Sequence, residues 1–385
     1  MKYKVSHINL IFYYAYGKVA FPDAKHFKKS TQAEEPGENV PEEGHPENAW
    51  IVSLREEWGS APLKFLPWYQ DGHNMLDALV RYPSQIPMWD DVVKASDVYE
   101  KQRPTMDHVM MDFLNTDEER LNIIDQQLRF GSEVTKAQFL VALIRAPHVK
   151  EFNPSTGLYS IPDLDFNKEG SHQCGITVPK DMLDFAVQST REGRRSWGTS
   201  FCPLGTVTDV HTDYHGPMQL MLGISTRKLW LIWPGTPKNF EWWASRRARC
   251  PTSTVTVEAI EQLEGLKLLY QKGQEAFILP PYHFHAVMTF ETSAHCGTAL
   301  WDYEWWLKAS KAGTEWEYGW ARDYMANEHP KSEAVVLLND LDVAMGKWEQ
   351  LLAKLVKKNV NVSKFKPWVK EMSKKVKELL NDLTG

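Results

Sequence analysis

Gly205-Thr206-Val207-Thr208-Asp209-Val210-His211-Thr212-Asp213 is the stretch on which the reading of the fold turns. Side chains of an extended strand alternate with period two, so His211 and Asp213 fall on one face. An imidazole and a carboxylate so placed need only one histidine from a distant strand to complete the two-histidine, one-carboxylate set. That set holds Fe(II) in non-haem oxygenases and leaves adjacent coordination positions open. His-x-Asp alone is common by chance, and its weight here comes from two segments downstream.

The first of these is Arg227-Lys228-Leu229-Trp230-Leu231-Ile232-Trp233-Pro234, a strand-like run closed by proline. Lys228 shares a face with Trp230 and Ile232, which aims a cation at an apolar surface. An inward lysine requires an anionic partner. A carboxylate of 2-oxoglutarate suits that role, with the Thr208 hydroxyl beside it. The competing reading is a surface lysine that snorkels to water. Thr208 stands at an odd offset from His211, so a bulge is needed to turn it to the same side. The second segment is Gly273-Gln274-Glu275-Ala276-Phe277-Ile278-Leu279-Pro280-Pro281-Tyr282-His283-Phe284-His285-Ala286-Val287. It reads as a turn, a buried strand, a proline-stiffened bend and a second strand. Either His283 or His285 can be the third ligand, and spacing alone leaves the choice open. His215 is a further histidine near the pair, and His295 beside Cys296 reads as packing or surface.

Together the three segments resemble the JmjC family of Fe(II)- and 2-oxoglutarate-dependent oxygenases, most of all the histone lysine demethylases whose relatives carry F-box, CXXC or PHD modules. The family's Thr-Asp-Phe-His-x-Asp-Phe-Gly-Gly is matched by Thr208-Asp209-Val210-His211-Thr212-Asp213-Tyr214-His215-Gly216. Lys228 stands at the family's lysine position, and Pro281 to Val287 is similar to its Pro-x-Gly-Trp-x-His-Ala-Val pattern, which selects His285. The resemblance covers residues 195–305. It implies a mainly β core, a double-stranded β-helix or jelly-roll, cupin-like JmjC barrel, with helical N-terminal and C-terminal additions (α+β). It further implies His211, Asp213 and His285 as metal and catalytic residues, Thr208 and Lys228 as cosubstrate residues, and Fe(II), 2-oxoglutarate and O2 as cofactors. The implied reaction is demethylation of methyl-lysine in a histone tail or another protein substrate, in the nucleus or otherwise the cytoplasm, without secretion. The alternatives are hydroxylation of a protein, RNA or small molecule, or a weakly active chromatin adaptor. The chain departs from the pattern at His283-Phe284 and His215-Gly216, and Met221 stands where a polar residue or tyrosine often helps hold the cosubstrate.

The 385 residues carry a formal net charge of −6, which gives no global case for nucleic-acid binding. Four widely spaced cysteines, none in a Cys-x-x-Cys pair, argue against a zinc finger or a dense disulfide framework. Sixteen tryptophans suit an aromatic-rich core. No stretch is long and apolar enough to span a membrane, and residues 8–16 read as a buried strand.

The expected organisation is a mixed region at 1–150 with an acidic loop at 31–49, the barrel at 151–306, and a helical region at 307–385. Helices are expected at 116–128, 132–144, 257–271, 333–356 and 367–383, with a strand leading into a helix within 174–190. Lysines along the last two helices allow a weak nucleic-acid contact, against the plainer reading of a solvated face on a packing cap.

Overall fold

The computed structural model describes residues 44–60, 67–93, 95–98, 105–115, 119–125, 130–145, 159–165, 178–191, 194–195, 198–247, 254–325 and 331–385. Among the described residues the chain is mixed α+β and builds two main antiparallel sheets, besides a separate two-stranded antiparallel pair. Its strands are β1 (Val92–Val93), β2 (Arg120–Asp125), β3 (Phe130–Thr135), β4 (Tyr159–Asp165), β5 (Ala186–Gln188), β6 (Thr190–Arg191), β7 (Arg194–Arg195) and β8 (Gly198–Cys202). There follow β9 (Val207–Thr212), β10 (Met218–Ser225), β11 (Arg227–Trp233), β12 (Lys267–Lys272), β13 (Ala276–Leu279), β14 (Phe284–Thr289) and β15 (Ser293–Asp302). The larger sheet has the order β1-β13-β10-β15-β8-β4-β2-β3, with β5 also on β15; the smaller has the order β12-β11-β14-β9.

Period-two alternation explains how these strands sort their side chains. On β11, Leu229, Leu231 and Trp233 join one core cluster, while Trp230 and Ile232 join another. On β14, Phe284, Ala286 and Met288 face the first cluster and Val287 the second. The second cluster includes Leu269 of β12 and takes Phe277 and Leu279 from β13 in the larger sheet, so it lies between the sheets. Trp230 meets Phe277 across that space with ring centroids 5.0 Å apart.

Helices cover the outer faces. α1 (Trp50–Ser60) and α2 (Pro67–Val80) place Ile51, Leu54, Trp58 and Leu76 on the outer side of the smaller sheet. α3 (Met106–Asn115) and α4 (Lys136–Arg145) bring Val109, Phe113 and Phe139 against Leu220, Leu222 and Ile224 of β10. α5 (Pro237–Arg247) and α6 (Thr254–Gln262) join β11 to β12 along the chain. The C-terminal part consists of α7 (Lys311–Trp320), flanked by π-helical turns at Trp306–Ser310 and Ala321–Met325, then α8 (Lys331–Lys357) and α9 (Phe365–Thr384). Its core is aromatic: Trp306, Trp348, Phe365 and Trp368 pack together and onto Trp301 of β15.

Both long C-terminal helices fall where their apolar periodicity placed them. Four other expectations are corrected. The described part of 116–128 is a strand, β2, because Leu121 and Ile123 alternate into a core cluster and pair with β3. The helix expected from 132 begins at Lys136, after β3 has used Ser132 to Thr135. The helix expected at 257–271 ends at Gln262; a left-handed Gly265 (φ 79°) precedes β12, where Leu268 and Leu269 point to opposite faces of the sheet. Within 174–190, the described residues form turns over 180–184 and then strand β5 rather than a helix. The expected strand at 8–16 and residues 31–43 of the acidic loop lie outside the described residues.

Candidate metal centre

β9 and β14 are neighbours in the smaller sheet, with His211 directly opposite His285. Asp213 follows the last residue of β9. Ligand atoms of His211, Asp213 and His285 all lie within 4.8 Å of one another, and the two imidazole centroids are 4.0 Å apart. Of the two histidines left open by spacing, it is His285 that joins the group able to hold a metal ion. His283 turns its Nδ1 to the carbonyl of Pro281 and packs edge-on against Trp89 and Trp305.

Both ligand imidazoles are oriented by backbone. Nδ1 of His211 lies 2.9 Å from the carbonyl oxygen of Asp209, and Nδ1 of His285 lies 3.2 Å from that of His283. A carbonyl only accepts, so each Nδ1 carries a proton; in the neutral imidazole this tautomer leaves the Nε2 lone pair free, the form that binds a metal. Electrostatics agree with a cation-binding role. Burial raises the Asp213 carboxyl above its ordinary range, against the pull of His211 and His215. Burial also holds His285 well below the usual imidazole value, aided by repulsion from His211. Two nitrogen donors and one carboxylate oxygen, converging in a desolvated place, fit Fe(II) by number and type.

Lys228 is 1% exposed, which rejects the snorkelling alternative. Its Nζ lies 2.7 Å from Nδ1 of His295, and the Cys202 thiol is also close. Burial lowers the pKa of the ammonium, and the same burial together with Lys228 holds His295 well below the ordinary imidazole value. The lysine therefore donates to a neutral imidazole, and neither named neighbour is a carboxylate. Thr208 pairs with Val287, while His211 pairs with His285, so three steps along β9 match two along β14. This bulge carries Thr208 to the side of the sheet shared by His285 and Val287. Met221 packs at the edge of the inter-sheet cluster, on the inner side of β10.

His295 is the site residue that sequence reasoning missed. Ala294 and Cys296 belong to the outer core of the larger sheet, so alternation along β15 turns His295 and Gly297 inward. That pattern was the available signal. Trp230 fills the space between the two ends of the site, 6.1 Å from the His285 ring and 5.5 Å from the His295 ring.

The loop after Asp213 is anchored in the C-terminal helices. His215 Nδ1 sits 3.0 Å from a carboxylate oxygen of Glu317, and its Nε2 is 3.9 Å from Asp340. Burial alone would depress the His215 imidazole, but Glu317, Asp340 and Asp213 outweigh it and leave the pKa raised.

Comparison of the chain with protein-family models and with curated proteins gave no match.

Proposed function

We propose that the protein is an Fe(II)- and 2-oxoglutarate-dependent oxygenase of the JmjC type, and that it demethylates methyl-lysine in a histone tail or another protein. The observation that carries this reading is the sharing of one inter-sheet interior by the His211, Asp213 and His285 set and the buried Lys228 amine. Support for a double-stranded β-helix comes from the strand order. β13-β10-β15-β8 lies in one sheet and β12-β11-β14-β9 in the other, so the chain crosses repeatedly between the two.

In this reading His211, Asp213 and His285 would hold Fe(II), which supplies the dioxygen chemistry coupling decarboxylation of 2-oxoglutarate to hydroxylation of a substrate C–H bond. Ile232 is opposite His285 on the sheet and Lys228 lies four residues further along β11, about 13 Å at strand rise. Lys228 would bind the distal carboxylate and Thr208 would add a hydroxyl bond. Trp230 and Val287 would wall the bound molecule from water, which strengthens these contacts. Hydroxylation of a lysine N-methyl gives a hemiaminal that releases formaldehyde, whereas the same residues acting on a methylene would leave a stable alcohol.

A chromatin substrate would place the protein in the nucleus. Among the C-terminal lysines, Lys374, Lys375 and Lys377 each face a carboxylate, which favours the packing-cap reading over nucleic-acid contact. No described helix is long and apolar enough to cross a membrane. The test is mass spectrometry of methylated histone H3 peptides incubated with the protein, Fe(II), ascorbate and 2-oxoglutarate. Cosubstrate-dependent loss of a methyl group, absent with Asp213→Ala, is the expected result. Gain of one oxygen without methyl loss would reassign the reaction to hydroxylation, and an unchanged peptide set with succinate still forming would reject histone H3 as substrate.

A further inference from the structure

Both loops that carry metal ligands pass through backbone conformations that L-residues resist. Among the described residues, positive φ outside glycine occurs at His215 (74°), Tyr282 (59°) and Asn359 (58°). His215 is two residues after Asp213, and Tyr282 is three before His285. Such conformations cost about 1–3 kcal/mol each and persist where the surroundings over-determine them.

The surroundings in question are one side chain of α7. Glu317 is 0% exposed. Its Oε2 accepts the backbone N–H of His215 at 2.9 Å and the hydroxyl of Tyr282 at 2.8 Å. Its Oε1 lies 3.0 Å from Nδ1 of His215, at ion-pair distance. One carboxylate thus grips both loops at their strained residues. Neighbours on the same helical stretch reinforce it: Thr314 meets the Tyr282 hydroxyl at 2.9 Å, and Ser310 donates to the carbonyl of Gly216 at 2.8 Å. The fit is close on every side. A Cβ on Gly313 would stand 2.1 Å from the Tyr282 ring, and one on Gly216 would stand 3.1 Å from the Thr314 hydroxyl. Full burial of a carboxylate costs several kcal/mol, and well-packed apolar side chains often replace such groups without loss of stability. A fold-only role therefore does not require this residue, whereas fixing two ligand loops against each other does.

We propose that Glu317 is a positioning residue for the metal centre, setting the separation of Asp213 and His285, and that the C-terminal helices are thereby a working part of the site. The inference rests on the metal reading above. It touches neither the cosubstrate contacts at Lys228 nor the ring bonds of His211.

The experiment is a titration of the full chain with Co(II), followed by calorimetry and visible absorption, for wild type, Glu317→Ala, Glu317→Gln and Tyr282→Phe. Near-ultraviolet circular dichroism reports folding in parallel. Loss of outer contacts to ligands typically weakens metal binding about 10- to 100-fold, and Glu317→Ala is expected in that range while remaining folded. Glu317→Gln keeps an oxygen for the His215 N–H and the Tyr282 hydroxyl, so it recovers most of the affinity. Tyr282→Phe breaks only one tie and falls between. If Glu317→Ala does not fold, Glu317→Gln and Tyr282→Phe carry the test. A folded Glu317→Ala, or failing that Tyr282→Phe, with wild-type Co(II) affinity and spectrum would overturn the proposal. Absence of Co(II) binding in wild type would instead sink the metal reading, and this inference with it.

Discussion

Lys228→Met should move stability and cosubstrate affinity in opposite directions. Lys228 is 1% exposed and lies against a neutral imidazole at 2.7 Å and a thiol, so its charge is desolvated without a carboxylate among these partners. Methionine keeps most of the side-chain volume and removes the charge. Replacing buried charge by a well-packed apolar side chain is commonly neutral or stabilising by about 1–4 kcal/mol. The ligand-free variant is therefore expected to melt no lower than wild type. Binding of 2-oxoglutarate loses a buried, charge-assisted contact worth about 2–5 kcal/mol. At about 1.4 kcal/mol per factor of ten, that is a loss of about 30-fold to several thousand-fold. Differential scanning calorimetry reads the first quantity, and calorimetric titration of the Co(II)-loaded protein with 2-oxoglutarate reads the second. A 2-oxo acid lacking the distal carboxylate is the control and should bind wild type and variant alike. Retention of 2-oxoglutarate affinity within about threefold, a change of less than 1 kcal/mol, would refute the assignment of Lys228.

Three further outcomes follow from the packing and charge. His295 is held neutral in the fold, with its pKa well below the ordinary 6.5. It therefore contributes stability above the unfolded value and loses it as pH falls below about 6.5, with a slope of up to about 1.4 kcal/mol per pH unit. Urea melts between pH 7 and pH 5 should show that slope flattened in His295→Asn, and an identical slope in the variant would contradict the reading. Gly313→Ala gains about 1 kcal/mol of helix propensity. It nonetheless forces a Cβ to within 2.1 Å of a Tyr282 ring pinned through its hydroxyl by Thr314 and Glu317. A net destabilisation of about 1–3 kcal/mol in urea is expected, and a more stable variant would count against the tightness of that contact. Trp348→Ala removes a fully buried ring packed against Phe365 and Trp368 and should cost about 3–5 kcal/mol, measured by the same melts.

The parts of the site that were legible in the sequence are those fixed by local period. His211 and Asp213 share a face by alternation, and Lys228 shares one with Trp230 and Ile232. The C-terminal helices declared themselves through apolar stripes that end up in one aromatic cluster. Where a short apolar run satisfies both periods, local pattern misled: residues 120–125 and 267–272 are strands because a neighbouring strand offers hydrogen bonds, a fact outside the run itself. The odd offset of Thr208 signalled a bulge, and register alone placed it. The choice of His285 over His283 depended on which lies opposite His211, again a matter of register. Glu317 had no local signal at all. It is about one hundred residues from His215 in sequence and meets it only because the C-terminal helices fold back onto the ligand loops.

The most direct test of the central claim is conversion of 2-oxoglutarate to succinate by the purified protein, followed by NMR, with and without Fe(II) and dioxygen. The wild-type chain is expected to form succinate only when both are present, and Asp213→Ala is expected to form none above the metal-free background. Succinate formation at wild-type rate by Asp213→Ala, or its absence from a wild-type chain that has bound Fe(II) and 2-oxoglutarate, would contradict the assignment of His211, Asp213 and His285 as a working oxygenase centre.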